Sequence, residues 1–329
     1  MCRDKIYSLA GVVFFLTLMM LIVWSKELQA QQKYPTKPID MIIAYSPGGS
    51  ADMTARMTAE FLRKKWGVPV NPINKTGGLA VPACLEVYNA KPDGYTMLGG
   101  DSMGTVSLLL VSVPNLPFKV MDRTFIGITL ANPYIFTVPF ASPINSMKDL
   151  EAEIKKDPHN FTWASIGGVG GPDHGARKFM KAIGVDPSNT RPVICKGGSE
   201  AARLTASGAT KLGVVTPSSG GAVIDAKLVR PLAVTPNKRL ERYPNLPTVA
   251  EAGYPSVSYQ ELIGTSGPPN LPTYIVEIWE KALEEMSKDH ETLSKIHRLG
   301  LTPFYLNAQE TRNARRKEIE EAKEMYGIK

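Results

Sequence analysis

Cysteine and histidine are both scarce in this sequence of 329 residues, which contains three cysteines and four histidines. Cys2 precedes the first apolar stretch and would leave with a cleaved leader, and Cys84 and Cys195 are expected in different domains. We therefore predict two buried free thiols and no disulfide framework. The chain has no thiol cluster, and the histidines outside the glycine-rich loops lack the spacing of metal ligands: His159, His290 and His297. No metal site is expected.

The signatures of nucleotide and nucleic-acid binding are also missing. The chain contains neither a Walker phosphate loop nor a Gly-x-Gly-x-x-Gly pattern, so no nucleotide cofactor is expected. Its formal charge of +7 comes from scattered lysines and arginines, without an RNA-binding or zinc-finger signature beside them. A charge of this sign fits attraction to small anions or to an anionic membrane surface, and it does not indicate a nucleic-acid partner.

Only one stretch, residues 6–24, is apolar enough to approach the length of a membrane span. It follows Arg3 and Lys5 and precedes Leu28-Gln29-Ala30, which has the small residue that a cleavage site needs. We therefore predict that residues 1–30 are a signal peptide and that the body of the protein is extracytoplasmic, in the periplasm. The alternative is an uncleaved anchor, which also places the body outside the cytoplasm.

What the chain does have is a strand, a glycine-rich loop and a helix in direct succession near its start. A strand-like run at 39–45 leads into the loop 47–52, and residues 53–66 have a helical pattern. Glycines allow a tight turn and close approach of a ligand. The unpaired N–H groups and positive dipole end of the helix would face that loop, which makes an anion site.

A second junction of the same kind occurs far downstream. Strand-like residues 161–165 lead into a loop at 167–174 that contains Gly170, Gly171 and His174, and a helix-like segment follows at 176–183. Two such loops in two halves of one chain predict a ligand that is held from both sides.

Strands and helices alternate along the whole chain, which predicts a largely parallel sheet with helices on both faces. The apolar segment 122–139 and the segment 260–265 are interpreted as strands that cross between two domains. Helices at 272–286 and 308–325 are expected to pack on the first domain, the last one with its charged residues on a solvated face.

An ordered set of segments resembles the substrate-binding proteins of tripartite tricarboxylate transporters, the Bug-type receptors. The set consists of 47–52 with Arg56, 92–98, Ala164-Ser165 with His174, Lys196-Gly197, 232–235, 246–255, and Gly267-Pro268-Pro269 with Pro272. It extends over almost the whole chain after the leader. One departure is Cys195, which stands before Lys196-Gly197 where that family usually has an aromatic residue.

The resemblance implies a two-lobed α/β receptor of the periplasmic-binding-protein type II fold, with two crossing strands between the lobes. Domain 1 would comprise 31–131 and 256–329, and domain 2 would comprise 132–255. Such a receptor, expected as a monomer, captures a small organic acid and delivers it to membrane permease subunits. Dicarboxylates, tricarboxylates, aromatic acids and acidic amino acids all stay open as ligands.

Carried over to this sequence, the resemblance predicts a set of ligand-binding residues in both lobes. These are Pro47, Gly48, Gly49, Ser50, Ala51 and Asp52 in the first loop, Ser102 and Thr105 after the third strand, and Ser165, Gly170, Gly171 and His174 in the second loop.

Several of these residues have a structural alternative. Ser50 could cap the helix, and Asp52 could meet the helix dipole and pair with Arg56 one turn later. A carboxylate at position 52 that faced the pocket would favour ligands that carry a hydrogen-bond donor. Asp173 is interpreted as a helix-start residue, and Lys196 either as a ligand cation or as an exposed loop residue.

Two other classes of function stay open. Gly100-Asp101-Ser102-Met103-Gly104 matches the nucleophile pattern of serine esterases, with His290 or His297 as the base, but no oxyanion motif precedes it. The protein is therefore not expected to be an enzyme. An exported sensor that passes its ligand state to a partner protein is the remaining alternative.

Overall fold

The computed structural model describes residues 34–113, 115–167 and 170–328, and the predicted signal peptide lies outside the described residues. The strands are β1 (Ile39–Ile43), β2 (Val70–Asn74), β3 (Thr96–Asp101), β4 (Arg123–Asn132), β5 (Ile135–Pro139), β6 (Thr162–Ser165), β7 (Arg191–Ile194), β8 (Gly213–Val215), β9 (Val229–Val234), β10 (Glu261–Pro269) and β11 (Thr302–Leu306). The helices are α1 (Ser50–Trp66), α2 (Val81–Tyr88), α3 (Ser107–Ser112), α4 (Met147–Lys156), α5 (Gly171–Ala182), α6 (Gly198–Ala206), α7 (Pro217–Asp225), α8 (Thr273–Met286), α9 (His290–Arg298) and α10 (Ala308–Tyr326).

One lobe is built on a six-stranded sheet in the order β11-β4-β10-β3-β1-β2. Strands β1, β2 and β3 run parallel, and β10 is antiparallel to both β3 and β4. Alternate residues of β1 enter two cores: Ile39 and Met41 pack with Trp279 of α8, whereas Ile42 packs with Cys84 of α2. Burial on both faces of the sheet therefore explains why four of the five residues of β1 are apolar, with Asp40 as the exception.

The other lobe is built on β5, which pairs antiparallel with β8 and β9, and on the parallel pair β6–β7. A bridge between Trp163 and Leu212 links the two groups of strands. The core of this lobe contains Phe136, Trp163 and Phe179 together with other residues of α4 and α5.

The chain passes between the lobes twice. It leaves the first lobe at the end of β4 and enters the second at β5, with two residues between these strands. The strand predicted over 122–139 is therefore two strands in different sheets. It returns into β10, whose first residue, Glu261, pairs in register with Asn132. The two crossings fit the predicted architecture, and the domain boundaries at 131/132 and 255/256 stay a prediction.

The prediction that the charged residues of the last helix are solvated is wrong at one position. Arg315 of α10 is fully buried, and its Nη2 donates to the carbonyl oxygens of Asp101 at 2.8 Å and Leu262 at 2.9 Å. The charge run thus hides a residue that ties α10 to β3 and β10 of the first lobe.

Cys84 and Cys195 are free and buried, in different lobes, as predicted. Burial raises the pKa of both thiols to about 11, so neither forms a thiolate at neutral pH. Among the described residues, no helix is long and apolar enough to cross a membrane.

Candidate functional site

A cavity of about 340 Å³ lies between the lobes. Residues from several loops and from both crossing segments line it: Tyr45, Ser46, Pro47, Gly49, Ser50, Ala51, Ser102, Tyr134, Ile166, Gly170, Gly171, Pro172, Lys196, Gly197, Gly198, Ser199, Glu200, Arg203, Thr216, Ser219 and Glu261. A space of this size suits a small organic molecule.

The N-terminus of α1 forms one wall of the cavity. Gly48 has φ +84°, a conformation that favours glycine, and Gly49 is the N-cap in an extended conformation. Gly49 has no side chain that could cap the helix, so the first-turn N–H groups of Ser50 and Ala51 have no side-chain cap. These donors, with the positive end of the helix dipole, suit a negatively charged group.

Asp52 holds this loop in place from behind. It is 2% exposed, and its carboxylate accepts hydrogen bonds from the backbone N–H of Gly48 at 3.0 Å, from Arg56 Nε at 3.0 Å and from Asn74 Nδ2 at 2.8 Å. Burial, the largest single effect, raises the pKa of Asp52, but the bonds from Arg56, Asn74 and Gly48 together lower it below its usual value. Asp52 is therefore a charged brace of the loop.

The N-terminus of α5 repeats this arrangement in the other lobe. Gly170 is the N-cap, again without a side-chain cap, and the helix begins at Gly171. Asp173, the third residue of α5 as Asp52 is of α1, accepts from the N–H of Ile166 at 2.9 Å and from the Ser165 hydroxyl. Both cradles thus consist of a glycine N-cap and an aspartate brace.

A third helix start, which the sequence analysis did not assign to the site, also lines the cavity. Gly197 is the N-cap of α6, and Glu200, again the third residue, accepts from the N–H of Lys196 at 2.8 Å. The side chains of Lys196 and Arg203 are exposed at this wall and add positive charge. In the sequence, the Lys196-Gly197 pair was the signal that could have identified this helix start as part of the site.

The cavity floor is formed where the crossing segments meet. Glu261 is 5% exposed and accepts from the Tyr134 hydroxyl and from Asn132 Nδ2 at 3.3 Å. Burial raises the pKa of Glu261, although hydrogen bonds from Tyr134, Ser102 and Asn132 act in the opposite direction. The sequence analysis missed Glu261 and Tyr134, because nothing in their local pattern distinguishes them from ordinary strand residues.

The sequence profile of the tripartite tricarboxylate transporter family receptors matches residues 54–326. The chain belongs to this family. Among curated relatives, the protein BugT of Bordetella pertussis is 25% identical over 280 residues, which are 85% of this chain and 85% of BugT.

Solved structures share the fold of this receptor. The R. palustris protein Rpa4515, determined with adipate, has a TM-score of 0.82 and 23% identity over 90% of this chain and 99% of its own. The periplasmic binding protein BugD has a TM-score of 0.80 and 23% identity over 90% of this chain and 99% of its own. The predicted two-lobed periplasmic-binding-protein fold and the resemblance to Bug-type receptors are confirmed.

The structure brings the predicted residues of this receptor together only in part. The cavity lining includes Pro47, Gly49, Ser50, Ala51, Ser102, Gly170 and Gly171, and it does not include Gly48, Asp52, Thr105, Ser165 or His174.

Three of the residues outside the lining support the loops instead. Gly48 donates to Asp52, and Ser165 bonds to Asp173. Thr105 donates to Asp101 Oδ1 at 2.6 Å and accepts from the N–H of Ser102 at 3.0 Å, and this arrangement fixes the turn that carries Ser102.

His174 packs against the ring of Tyr259, with the ring centroids 5.0 Å apart. Burial and the nearby Lys178 lower the pKa of His174 to about 3, so its imidazole is neutral. It supports the second lobe from behind the cradle.

Ser50 is the first residue of α1 and not its N-cap, because the helix begins three residues before the predicted start. Its hydroxyl accepts from Asn132 Nδ2 at 2.9 Å, which links the first cradle to the crossing segment.

The esterase alternative gains no support from the surroundings of Ser102. The Ser102 hydroxyl accepts from the N–H of Gly104 at 3.3 Å and caps a short 3-10 turn. Within the described ranges, none of the hydrogen bonds of Ser102 involves a histidine, and His297 lies on the surface, 4.0 Å from Glu241. No group of metal-ligating side chains occurs among the described residues.

Proposed function

We propose that this protein is an extracytoplasmic solute receptor that captures a small organic carboxylate between its two lobes. The observation that carries the proposal is the pair of helix N-termini, α1 at Ser50 and α5 at Gly171, which come from different lobes and line one cavity. Neither helix start has a side-chain cap. The N–H groups of Ser50 and Ala51 are the donors in α1, and that of Gly171 is the donor in α5, because Pro172 has no N–H. Both dipoles favour an anion there. The adipate in the related Rpa4515 structure agrees with this chemistry.

The binding energy of such a site is sufficient for a receptor. Micromolar affinity corresponds to about −8 kcal/mol. Hydrogen bonds to a charged group contribute about 1.5–3 kcal/mol each, so a few of them and burial of the ligand's carbon skeleton would supply that amount.

Closure of the lobes would follow from the position of the two cradles. Only a closed arrangement offers both cradles to one ligand, so a carboxylate has a higher affinity for the closed state and shifts the equilibrium towards it. The closed receptor would then deliver its ligand to the membrane subunits of a tripartite tricarboxylate transporter. Membership in this receptor family supports that partner.

The experiment is a thermal-shift screen of the exported protein with adipate, succinate, malate, benzoate and glutamate, followed by calorimetry of every acid that raises the melting temperature. A ligand at a hundredfold excess over its Kd stabilises the folded state by about 2.7 kcal/mol. The corresponding alcohols and amides are the matched controls, and they should bind far more weakly. Equal stabilisation by acid and amide would contradict an anion site.

Transport is tested separately in the organism. Deletion of the gene should abolish uptake of the acid that binds, and a copy carrying Ala51→Pro should restore it only in part. Unchanged uptake after deletion would favour a sensor over a transport receptor.

A further inference from the structure

A buried carboxyl group lies at the floor of the candidate site and is not explained by the anion cradles. Glu261 is 5% exposed, lines the cavity and begins β10, where the chain returns to the first lobe. Its Oε2 accepts from the Tyr134 hydroxyl and from Asn132 Nδ2, both on the outgoing crossing segment. An acidic side chain in an anion site would repel its ligand if both were charged.

Glu261 lies between the two cradles. Asn132 Nδ2, which is 3.3 Å from Glu261 Oε2, also donates to Ser50 Oγ at 2.9 Å, at the start of α1. The Tyr134 phenol, which bonds to Glu261, lies so close to Gly171 at the start of α5 that a Cβ there would overlap it. A ligand carboxylate that reaches both helix starts is therefore brought close to the Glu261 carboxyl.

Within the described ranges, the buried cation that acts on Glu261 is Arg315, whose hydrogen bonds go to other groups, while Lys196 and Arg203 lie on another wall of the cavity. The phenols that face it, Tyr45, Tyr134 and Tyr259, all have a pKa raised by burial and are uncharged. Arg315 of α10 donates from Nη1 to Glu318 at 2.7 Å and from Nη2 to backbone carbonyls. Glu318 itself adds negative charge nearby.

We propose that Glu261 meets the ligand as a protonated acid and donates a hydrogen bond to the ligand's carboxylate, so that each binding event takes up as much as one proton. The proton comes from solvent to a Glu261 oxygen and stays there, and no covalent bond of the ligand changes. This inference rests on the proposed function, because it needs an anionic ligand in the cavity.

The expected pH dependence has a definite sign. Burial already raises the pKa of Glu261 in the empty receptor, and an adjacent anion raises it further. Affinity is therefore highest at pH values below the pKa of Glu261 in the empty receptor. It falls by up to about tenfold per pH unit between that value and the pKa of Glu261 in the complex, and it levels off above the latter.

The test is calorimetric titration of the full exported protein with adipate, succinate, malate and benzoate at several pH values from 6 to 9. Each titration is done in two buffers of different ionisation enthalpy, which gives the number of protons taken up. The receptor is expected to take up a proton with its ligand, and Glu261→Gln is expected to bind the same ligand without proton uptake and with a flat pH profile.

Two further variants keep the result decisive. Tyr134→Phe removes a hydrogen bond that lowers the pKa of Glu261, so its pH profile should move to higher pH. Glu153→Gln, on the surface of the second lobe where Glu153 pairs with Lys211, should behave like the unmodified receptor. Binding without proton uptake, or equal uptake in Glu261→Gln, overturns the inference, whereas no binding of any of the four acids contradicts the proposed function itself.

Discussion

The ring of Tyr326 lies 5.7 Å from the guanidinium of Arg177, and the two residues belong to different lobes. Tyr326 ends α10, which packs on the first lobe, and Arg177 is in α5 of the second lobe, 5.8 Å from the ring of Trp163. Burial raises the pKa of Tyr326 to about 12, so the phenol is uncharged at neutral pH. The C-terminal helix thus connects the lobes at a place remote in sequence from both crossing segments.

Removal of this contact should make the empty receptor open more easily. A cation–π contact contributes about 0.5–1 kcal/mol at exposed sites and more when it is desolvated. We expect Tyr326→Ala to increase the radius of gyration in small-angle scattering without ligand, and Tyr326→Phe, which keeps the ring, to match the unmodified protein. Identical scattering of the alanine variant would mean that the contact does not hold the lobes together.

Asp52 should stabilise the protein in a pH-dependent way. Its pKa is lowered in the folded state, so its contribution is present above the unfolded pKa, near 3.8, and is lost as the pH falls through the lower folded value. Asp52→Asn should lower the unfolding free energy by about 1–3 kcal/mol at pH 7, because several hydrogen bonds to a charge are weakened. Thermal unfolding from pH 7 to pH 3 should show this difference shrinking, and a constant difference would contradict the brace.

Local signals in the sequence were sufficient for the two cradles. A strand followed by glycines and a helical pattern identified both loops, and the i, i+4 spacing identified the pair of Asp52 and Arg56. The direction in which Asp52 points also depends on Asn74 of β2, which only the parallel pairing of β1 and β2 brings close. The sequence therefore placed Asp52 in the first loop without showing that its side chain lies behind that loop.

The floor of the cavity could not be predicted in the same way. In the sequence, Glu261 is only an acidic residue at the end of a strand. Its burial arises when the two crossing segments meet in the fold, and its partner Tyr134 is 127 positions away. Arg315 was concealed for the same reason, because its burial depends on carbonyl groups of Asp101 and Leu262. The neighbouring sequence of a charged residue in a charge run or at a strand end does not show whether that residue is solvated or buried.

Two glycine positions in the cradles should respond differently to a methyl group. A Cβ at Gly171 would overlap the buried ring of Tyr134, whereas a Cβ at Gly49 would meet only the carbonyl oxygen of Ser46, at 3.7 Å. We expect Gly171→Ala to destabilise the protein by about 1–3 kcal/mol, the usual result of overpacking. Gly49→Ala should leave stability nearly unchanged, and denaturant unfolding of both variants measures the contrast; equal losses would mean that Tyr134 yields easily.

The N–H of Ala51 can be removed without breaking the helix. Ala51 is the second residue of α1, and α5 already has a proline, Pro172, at its own second position. Ala51→Pro should therefore fold and lose one donor to the ligand, which weakens binding by roughly ten- to hundredfold. Ala51→Gly keeps the N–H and should lose far less affinity in calorimetry. Equal affinity of the two variants would show that the ligand does not use this N–H.

Glu261 should also affect stability in the absence of any ligand. Because burial raises its pKa, the folded protein holds this proton more tightly than the unfolded chain. Stability is then lost as the pH rises from the unfolded pKa, near 4.5, towards the folded value, by at most about 1.4 kcal/mol per pH unit. Glu261→Gln has no such loss. The melting temperature of this variant minus that of the unmodified protein should therefore increase from pH 5 to pH 8. A difference that stays constant over this range would mean that Glu261 ionises in the folded receptor as readily as in the unfolded chain. A protonated Glu261 in the binding cavity would then have no physical basis.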